Sequence, residues 1–260
     1  MKYIDPNNID QLPGRQIHEG DTFRFRCHSG IDCFNQCCRN LNLFLYPYDV
    51  LRLKRGLDMS SDMFIETYVH VVMRPGHYFP EVLLRMEDHK DGACPFVEAN
   101  GCRIYTDRPH TCRNFPMEQG AIYDVGAGAT TPVFFFRPPD FCKGPEENQV
   151  LTLADYARDQ EADVYNQMTL RWAYLRRLFQ DDPWGPEGFE SPRGKMAFMA
   201  AYNIDRFSEF VFNSSFIKRY RIKPKRVKQL RASETALLKF AFEWIEFFVW
   251  GRPSKHIRPR

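Results

Sequence analysis

Phe25-Arg-Cys-His-Ser-Gly-Ile-Asp-Cys-Phe-Asn-Gln-Cys-Cys38 places four sulfurs, Cys27, Cys33, Cys37 and Cys38, within 12 residues. Four more follow at Cys94, Cys102, Cys112 and Cys142, and the rest of the chain to Arg260 has none. A thiolate is both a soft ligand and a nucleophile, so eight of them gathered before residue 143 are either crosslinked or metal-binding. Two observations weigh against crosslinks. The opening Met-Lys-Tyr-Ile-Asp-Pro-Asn-Asn has no apolar signal run, and 260 residues with 43% hydrophobic content can build a core without covalent staples. The expected compartment is therefore the cytoplasm, where disulfides are rare. Metal is the better reading.

Outward from the cluster, the pattern is α+β. Residues 1–20 read as an extended lead-in, with Asn7, Asn8, Pro6 and Pro13 and little periodicity. Thr22–Arg26 alternates as a strand, and Asn40–Tyr46 is strand-like again. Pro47 suits the first turn of a helix carrying Val50, Leu51, Leu53 and Leu57. Ser60 or Ser61 caps a second helix with Phe64, Ile65, Tyr68 and Val72, stopped at Pro75-Gly76. Between 81 and 105 the sequence reads as sheet, and a hairpin turn at Asn100-Gly101 brings Cys94 and Cys102 towards each other. Ile122–Val125 and Pro132–Phe136 form another hairpin, and Phe141-Cys-Lys-Gly144 closes the cysteine half.

Beyond Pro145 the character is helical. Thr152 with Asp155 makes a capping box at the head of a long helix to Phe179, and further helices lie at 193–214 and 233–250. The expected architecture is an irregular, metal-organised half with short strands at 21–144, followed by an α-helical half at 145–260 sharing the same core. No membrane span is expected, because the most apolar run, Ala236–Trp250, contains Lys239, Glu243 and Glu246.

The spacing of the cysteines bears on the metal. Intervening residues number 5, 3 and 0, then, after a long gap, 7, 9 and 29, so no Cys-x2-Cys knuckle exists. No His pair at zinc-finger spacing completes a site, and His28, His89 and His110 near the cysteines read as surface or hydrogen-bonding residues. All-sulfur ligation and Cys94-Pro95 favour iron–sulfur over zinc, and Arg103, Arg108 and Arg113 supply positive charge beside the thiols. Four thiolates suffice for one zinc or one cubane, so eight permit two sites. The simplest partition follows the sequence blocks, 27/33/37/38 and 94/102/112/142. Adjacent side chains of an extended segment point apart, however, so one of Cys37 and Cys38 joining the later cysteines stays open.

Together the Cys27–Cys38 cluster, Cys94-Pro-Phe-Val with Gly101-Cys-Arg-Ile-Tyr, Arg108-Pro-His-Thr-Cys-Arg-Asn-Phe-Pro116 and Phe141-Cys-Lys-Gly144 resemble the cysteine-cluster proteins of the YkgJ type. The first gap departs from that pattern, with five residues instead of two. The resemblance implies a zinc- or iron-chelating domain with all eight cysteines as candidate ligands. It is related to a domain in flagellin lysine N-methylases, which raises modification of a partner protein or redox chemistry as roles. Storage or delivery of metal, and a zinc module without catalysis, are the alternatives.

Motifs for other chemistry are missing. The radical S-adenosylmethionine pattern fails where Asn40 replaces a third cysteine, and there is no Gly-x-Ser-x-Gly or His-Glu-x-x-His. The net charge of +3 is too small to imply a nucleic-acid partner. One run, Lys218–Arg231, holds eight basic residues and no acid. It reads as a solvated loop, with nucleic acid or an acidic partner as the functional alternative.

Overall fold

The computed structural model describes residues 3–88, 91–124, 126 and 128–260. In chain order the first elements are β1 (Arg15–Ile17), β2 (Thr22–Arg24), α1 (Pro47–Gly56), α2 (Ser61–Tyr68), β3 (Val69–Val72) and β4 (Glu81–Leu84). There follow β5 (Val97–Glu98), β6 (Gly101–Cys102), α3 (His110–Asn114), β7 (Met117–Asp124), β8 (Ala129–Phe136) and β9 (Val150–Thr152). The remainder is α4 (Leu153–Asp159), α5 (Asp163–Phe179), α6 (Pro192–Tyr202), α7 (Ile204–Asn213), α8 (Phe216–Arg219), β10 (Tyr220–Arg221), α9 (Pro224–Ala232), α10 (Glu234–Trp250) and β11 (Arg258–Pro259). The class is α+β, with short antiparallel strands early and helices late.

Two compact units are present, each built from two separate stretches: Met1–Leu45 with Leu83–Tyr174, and Tyr46–Val82 with Leu175–Arg260. This division differs from one drawn at residue 145, because the helices at 47–68 pack with late helices.

In the first unit β8 lies between β1 and β7 in an antiparallel sheet. β1 pairs only with Phe134–Phe136, so Pro132 lies beyond the reach of that neighbour and its missing N–H costs no ladder bond there. Residues 15–17 are thus an edge strand and not merely part of a lead-in. β2 pairs with β9, and Phe23 of β2 joins Ile17 of β1, Met117 of β7, Tyr156 of α4 and Phe25 in a buried cluster. Phe115, Phe136 and Cys142 pack against it, so one sulfur touches the apolar core directly. The ladder of β7 and β8 reaches from Met117↔Phe136 to Asp124↔Ala129, longer than the hairpin read from sequence, whose Val125 lies outside the described residues.

The second unit centres on α10. Ser233 caps it by accepting from the Ala236 N–H, and Gly251 ends it in the left-handed region at φ 65°. Leu237, Leu238, Phe240, Ala241, Trp244 and Ile245 are all buried, so the helix is apolar on most of its surface and lies among α1, α6, α7 and α9. No helix among the described residues is long and apolar enough to cross a membrane.

Three local expectations change. The long helix after Thr152 is two: its capping box with Asp155 forms, but Glu161 at φ 51° breaks the backbone before α5. The 193–214 helix divides at Asn203, whose side chain leaves the helical path to cap α7 at the Arg206 N–H. Val72 belongs to β3, not to α2, because Val69, Val71 and Val72 are β-branched and prefer an extended backbone.

A buried cation ties the second unit together. Lys54 Nζ donates to Asp205 at 2.9 Å and to Glu234 at 2.6 Å, and the Ser61 N–H donates to the other Asp205 oxygen at 2.6 Å. Burial pulls the Lys54 pKa down, and the two carboxylates more than reverse it, leaving it above 10.5. For Asp205 burial acts upward, and the Ser61 N–H and Lys54 hold it below 3.8. The contribution of Lys54 is thus present below 10.5 and lost as pH rises through its raised pKa. That of Asp205 is present above 3.8 and lost as pH falls through its depressed pKa. Asp205→Asn is expected to cost about 1–2 kcal/mol after solvent screening. Melting curves across pH check this: the deficit should persist at neutral pH and shrink below pH 3.8.

Candidate metal centre

All eight cysteines lie in the first unit, and none of them forms a disulfide. Cys27 is exposed, Cys33 is buried, and the other six are half-buried. Asn35 at φ 66° starts a short 3-10 turn, Gln36–Cys38, that presents Cys37 and Cys38 as neighbours. Residues 38–40 then run antiparallel to 92–94. The Cys94 N–H donates to the Cys38 carbonyl at 2.8 Å and the Asn40 N–H to the Gly92 carbonyl at 2.8 Å. That pairing sets Cys38 opposite Cys94. It depends on Asn40 at φ 52° and Gly92 at φ 62°, where an added Cβ would lie 2.2 Å from the Asn40 side-chain oxygen.

Cys102 reaches the same place through the β5–β6 hairpin. Val97 pairs with Cys102 and Glu98 with Gly101, so Ala99 and Asn100 form the turn and Gly101, at φ 128°, follows it. Cys112 sits on α3. Directly after Cys142, the Lys143 N–H donates to Cys33 Sγ at 3.2 Å.

The thiols bear on one another's ionisation. Cys94 and Cys102 both lie in the field of Cys38 and Cys94 in that of Cys102, while Cys27 lies in that of Cys33, Cys142 and Cys38. Cys142 also shares a hydrogen bond with Cys33. Cys37 couples to Cys38, Cys27 and Cys112. The couplings therefore do not follow the sequence blocks: Cys38 couples to Cys94 and Cys102 as well as to Cys37 and Cys27, and Cys142 couples to Cys33 and Cys27. Among the described residues, no group of three or more His, Cys, Asp or Glu side chains is gathered tightly enough to hold a metal ion as it stands. What is gathered is a continuous set of coupled thiols.

Three of these thiols are served by the backbone in the same way. Cys94 accepts from the Phe96 N–H, Cys102 from the Ile104 N–H, and Cys142 from the Gly144 N–H, each two residues on. Burial pushes all three pKa values up, that of Cys94 to about 11, and these N–H groups oppose it. An N–H aimed at sulfur stabilises the thiolate over the thiol, which is the form a metal takes. In the adjacent pair, the hydrogen bond between Cys37 and Cys38 acts first. It raises Cys37 and lowers Cys38 to about 7, with Arg39 also favouring the Cys38 thiolate.

Positive charge and imidazole divide sharply. Arg108 and Arg103 both favour the Cys102 thiolate, and Arg108 also lies in the field of Cys112. Arg113 serves the fold instead: it is buried, donates to the Gln160 and Thr106 carbonyls at 2.5 Å and lies over the Tyr165 ring. Arg39 was not singled out from sequence, although its place directly after Cys38 is a readable signal. His28 is bonded by the Gly30 N–H and lies 3.6 Å from Glu147, and buried His110 meets Gln119 at 2.6 Å and Asn166 at 3.1 Å. His89 lies outside the described residues.

The model of the CxxCxxCC family, described as a proposed zinc- or iron-chelating domain, matches residues 26–151. No curated protein and no solved structure gives a significant match. The matched stretch spans every one of the eight cysteines, and its donor set fits a metal in kind: soft sulfur, backbone N–H groups that favour thiolate, and guanidinium groups nearby. Metal binding is accordingly the property that the family match supports.

One glycine of the matched stretch fixes this geometry. A Cβ on Gly144 would lie 2.3 Å and 2.7 Å from ring atoms of Phe25, which is itself buried against Phe115 and Tyr156. Gly144→Ala is expected to push the 142–144 turn away, withdrawing N–H donors from both Cys142 and Cys33. Overpacking of this kind costs about 1–3 kcal/mol. Metal content and melting temperature should fall together, whereas exposed Gly76→Ala should leave the metal content unchanged.

Proposed function

We propose that the CxxCxxCC domain is an iron–sulfur protein whose centre serves electron transfer or the modification of a partner protein. The observation that carries this reading is the all-sulfur environment: the described histidines near the thiols are engaged with Glu147, Gln119 and Asn166, while the thiols couple to one another. The proposed ligand sets are Cys38, Cys94 and Cys102 on one side and Cys27, Cys33 and Cys142 on the other, completed by Cys37 and Cys112. When bound, iron–sulfur clusters accept and release single electrons at potentials set by hydrogen bonds and charge around the sulfurs.

The chain's own residues supply that setting. Phe96, Ile104 and Gly144 direct N–H groups at sulfur, and Arg39, Arg103 and Arg108 place positive charge beside Cys38 and Cys102. Both features stabilise an anionic centre and favour its more reduced, more negative state. The Phe25, Phe115 and Tyr156 rings exclude water behind Cys142. A methyl-transfer role requires a bound methyl donor in addition.

Anaerobic purification followed by absorption, iron, zinc and acid-labile sulfide on one sample tests the reading. Broad absorption near ~400 nm with matched iron and sulfide supports it. Stoichiometric zinc without sulfide or colour overturns it, and leaves a module in which metal fixes the fold.

A further inference from the structure

A pocket of about 410 Å³ in the second unit is walled by Arg221, Lys223, Arg226, Lys255, His256 and Arg258, with Ile222 as its one apolar side chain. We propose that it binds a compact oligophosphate, a small anion carrying two or more phosphoryl groups. The site stands apart from the thiol chemistry and does not rest on the metal reading.

The fold holds these cations together against their repulsion. β10 and β11 pair antiparallel with Arg221 directly opposite Arg258, an arrangement of like charges that is destabilising in a bare sheet. The pairing is enforced by the Arg260 N–H donating to the Arg219 carbonyl at 2.9 Å and by burial of Ile257. Lys223 caps α9 without a side-chain hydrogen bond, and the first turn carries Lys225 and Arg226 but no acid. Cations at that end of a helix oppose its dipole, whereas an anion there is favoured.

Counter-charge from the protein falls short. Glu243 meets His256 at 2.8 Å and Arg226 at 3.7 Å. Among the described residues, Arg221, Lys223, Lys255 and Arg258 pair with no carboxylate. Arg226 also encloses its Nε without a hydrogen-bond partner. Four unmatched cations, two of them guanidinium forks, call for several anionic oxygens rather than one carboxylate. The volume suits a small ligand, and no Phe, Tyr or Trp lines the walls to stack a base.

Titration calorimetry of the full chain with sodium tripolyphosphate at constant ionic strength tests this. One tripolyphosphate should bind per chain, and Lys223→Gln with Lys255→Gln, both exposed, should weaken it at least about tenfold. Lys225→Gln with Lys228→Gln, in the same basic run but outside the pocket, should change affinity by less than about twofold. Unchanged melting curves show that each variant is folded. The proposal fails if tripolyphosphate does not bind or if both variant pairs weaken it equally, which is diffuse charge. It also fails if a single-stranded oligonucleotide binds more tightly than tripolyphosphate through Lys223 and Lys255, which makes the face a nucleic-acid one.

Discussion

Replacing Cys38 by serine is expected to remove about half of the metal bound per chain, since four thiolates complete one site and eight permit two. Cys38 faces Cys94 across the 38–40/92–94 pairing and couples to Cys102 as well, so its loss disables that neighbourhood. A serine hydroxyl stays protonated and is a hard donor, so it does not substitute for the thiolate. Cys142→Ser should remove a similar fraction from the other neighbourhood, where Cys142 shares a hydrogen bond with Cys33. Metal analysis of the two single variants and the double variant decides the matter. Additive losses support two sites divided across the sequence blocks. Complete loss in either single variant overturns that division and indicates one shared centre.

Trp244→Ala is expected to destabilise the second unit by about 3–5 kcal/mol. The ring is 2% exposed and lies 4.9 Å from Phe216, 5.1 Å from Phe248 and 5.3 Å from Tyr220, centroid to centroid. Its removal leaves a hole among side chains that are themselves buried or stacked and cannot collapse freely. An apparent melting point lower by roughly 6–20 °C follows for a chain of this size. Calorimetry checks it, and metal content at low temperature should stay unchanged because the thiols belong to the other unit. A shift of only a degree or two would show that the aromatic cluster repacks.

What the sequence discloses is local. Ser233 and Gly251 bracket α10, Thr152 with Asp155 starts α4, and eight cysteines before residue 143 announce the metal-binding half. What it conceals depends on contacts far along the chain. Cys38 meets Cys94 only because Asn40 and Gly92 adopt positive φ together, and neither residue reveals that by itself. Thiol neighbourhoods that cross the sequence blocks are invisible for the same reason. The basic run read as a solvated loop contains α9, which Pro224 starts and Leu230 anchors by burial. Its partners for anion capture come from residues 255–258 across β11, another long-range encounter.

The interleaving of the two units has a consequence for the order in which the chain can fold as it is made. Every thiol lies in Met1–Leu45 or Leu83–Tyr174, so the first unit is complete in sequence once residue 174 has emerged. α1 is in the opposite position. Lys54 waits for Asp205, 151 residues later, and for Glu234, 180 residues later. Until those arrive, Val50, Leu51 and Leu53 have no late helices to cover them. Contacts of such separation close slowly, and uncovered apolar faces are where nascent chains associate. The kinetic hazard of this molecule therefore lies in its helical unit, while its reactive sulfurs belong to the unit that can close first.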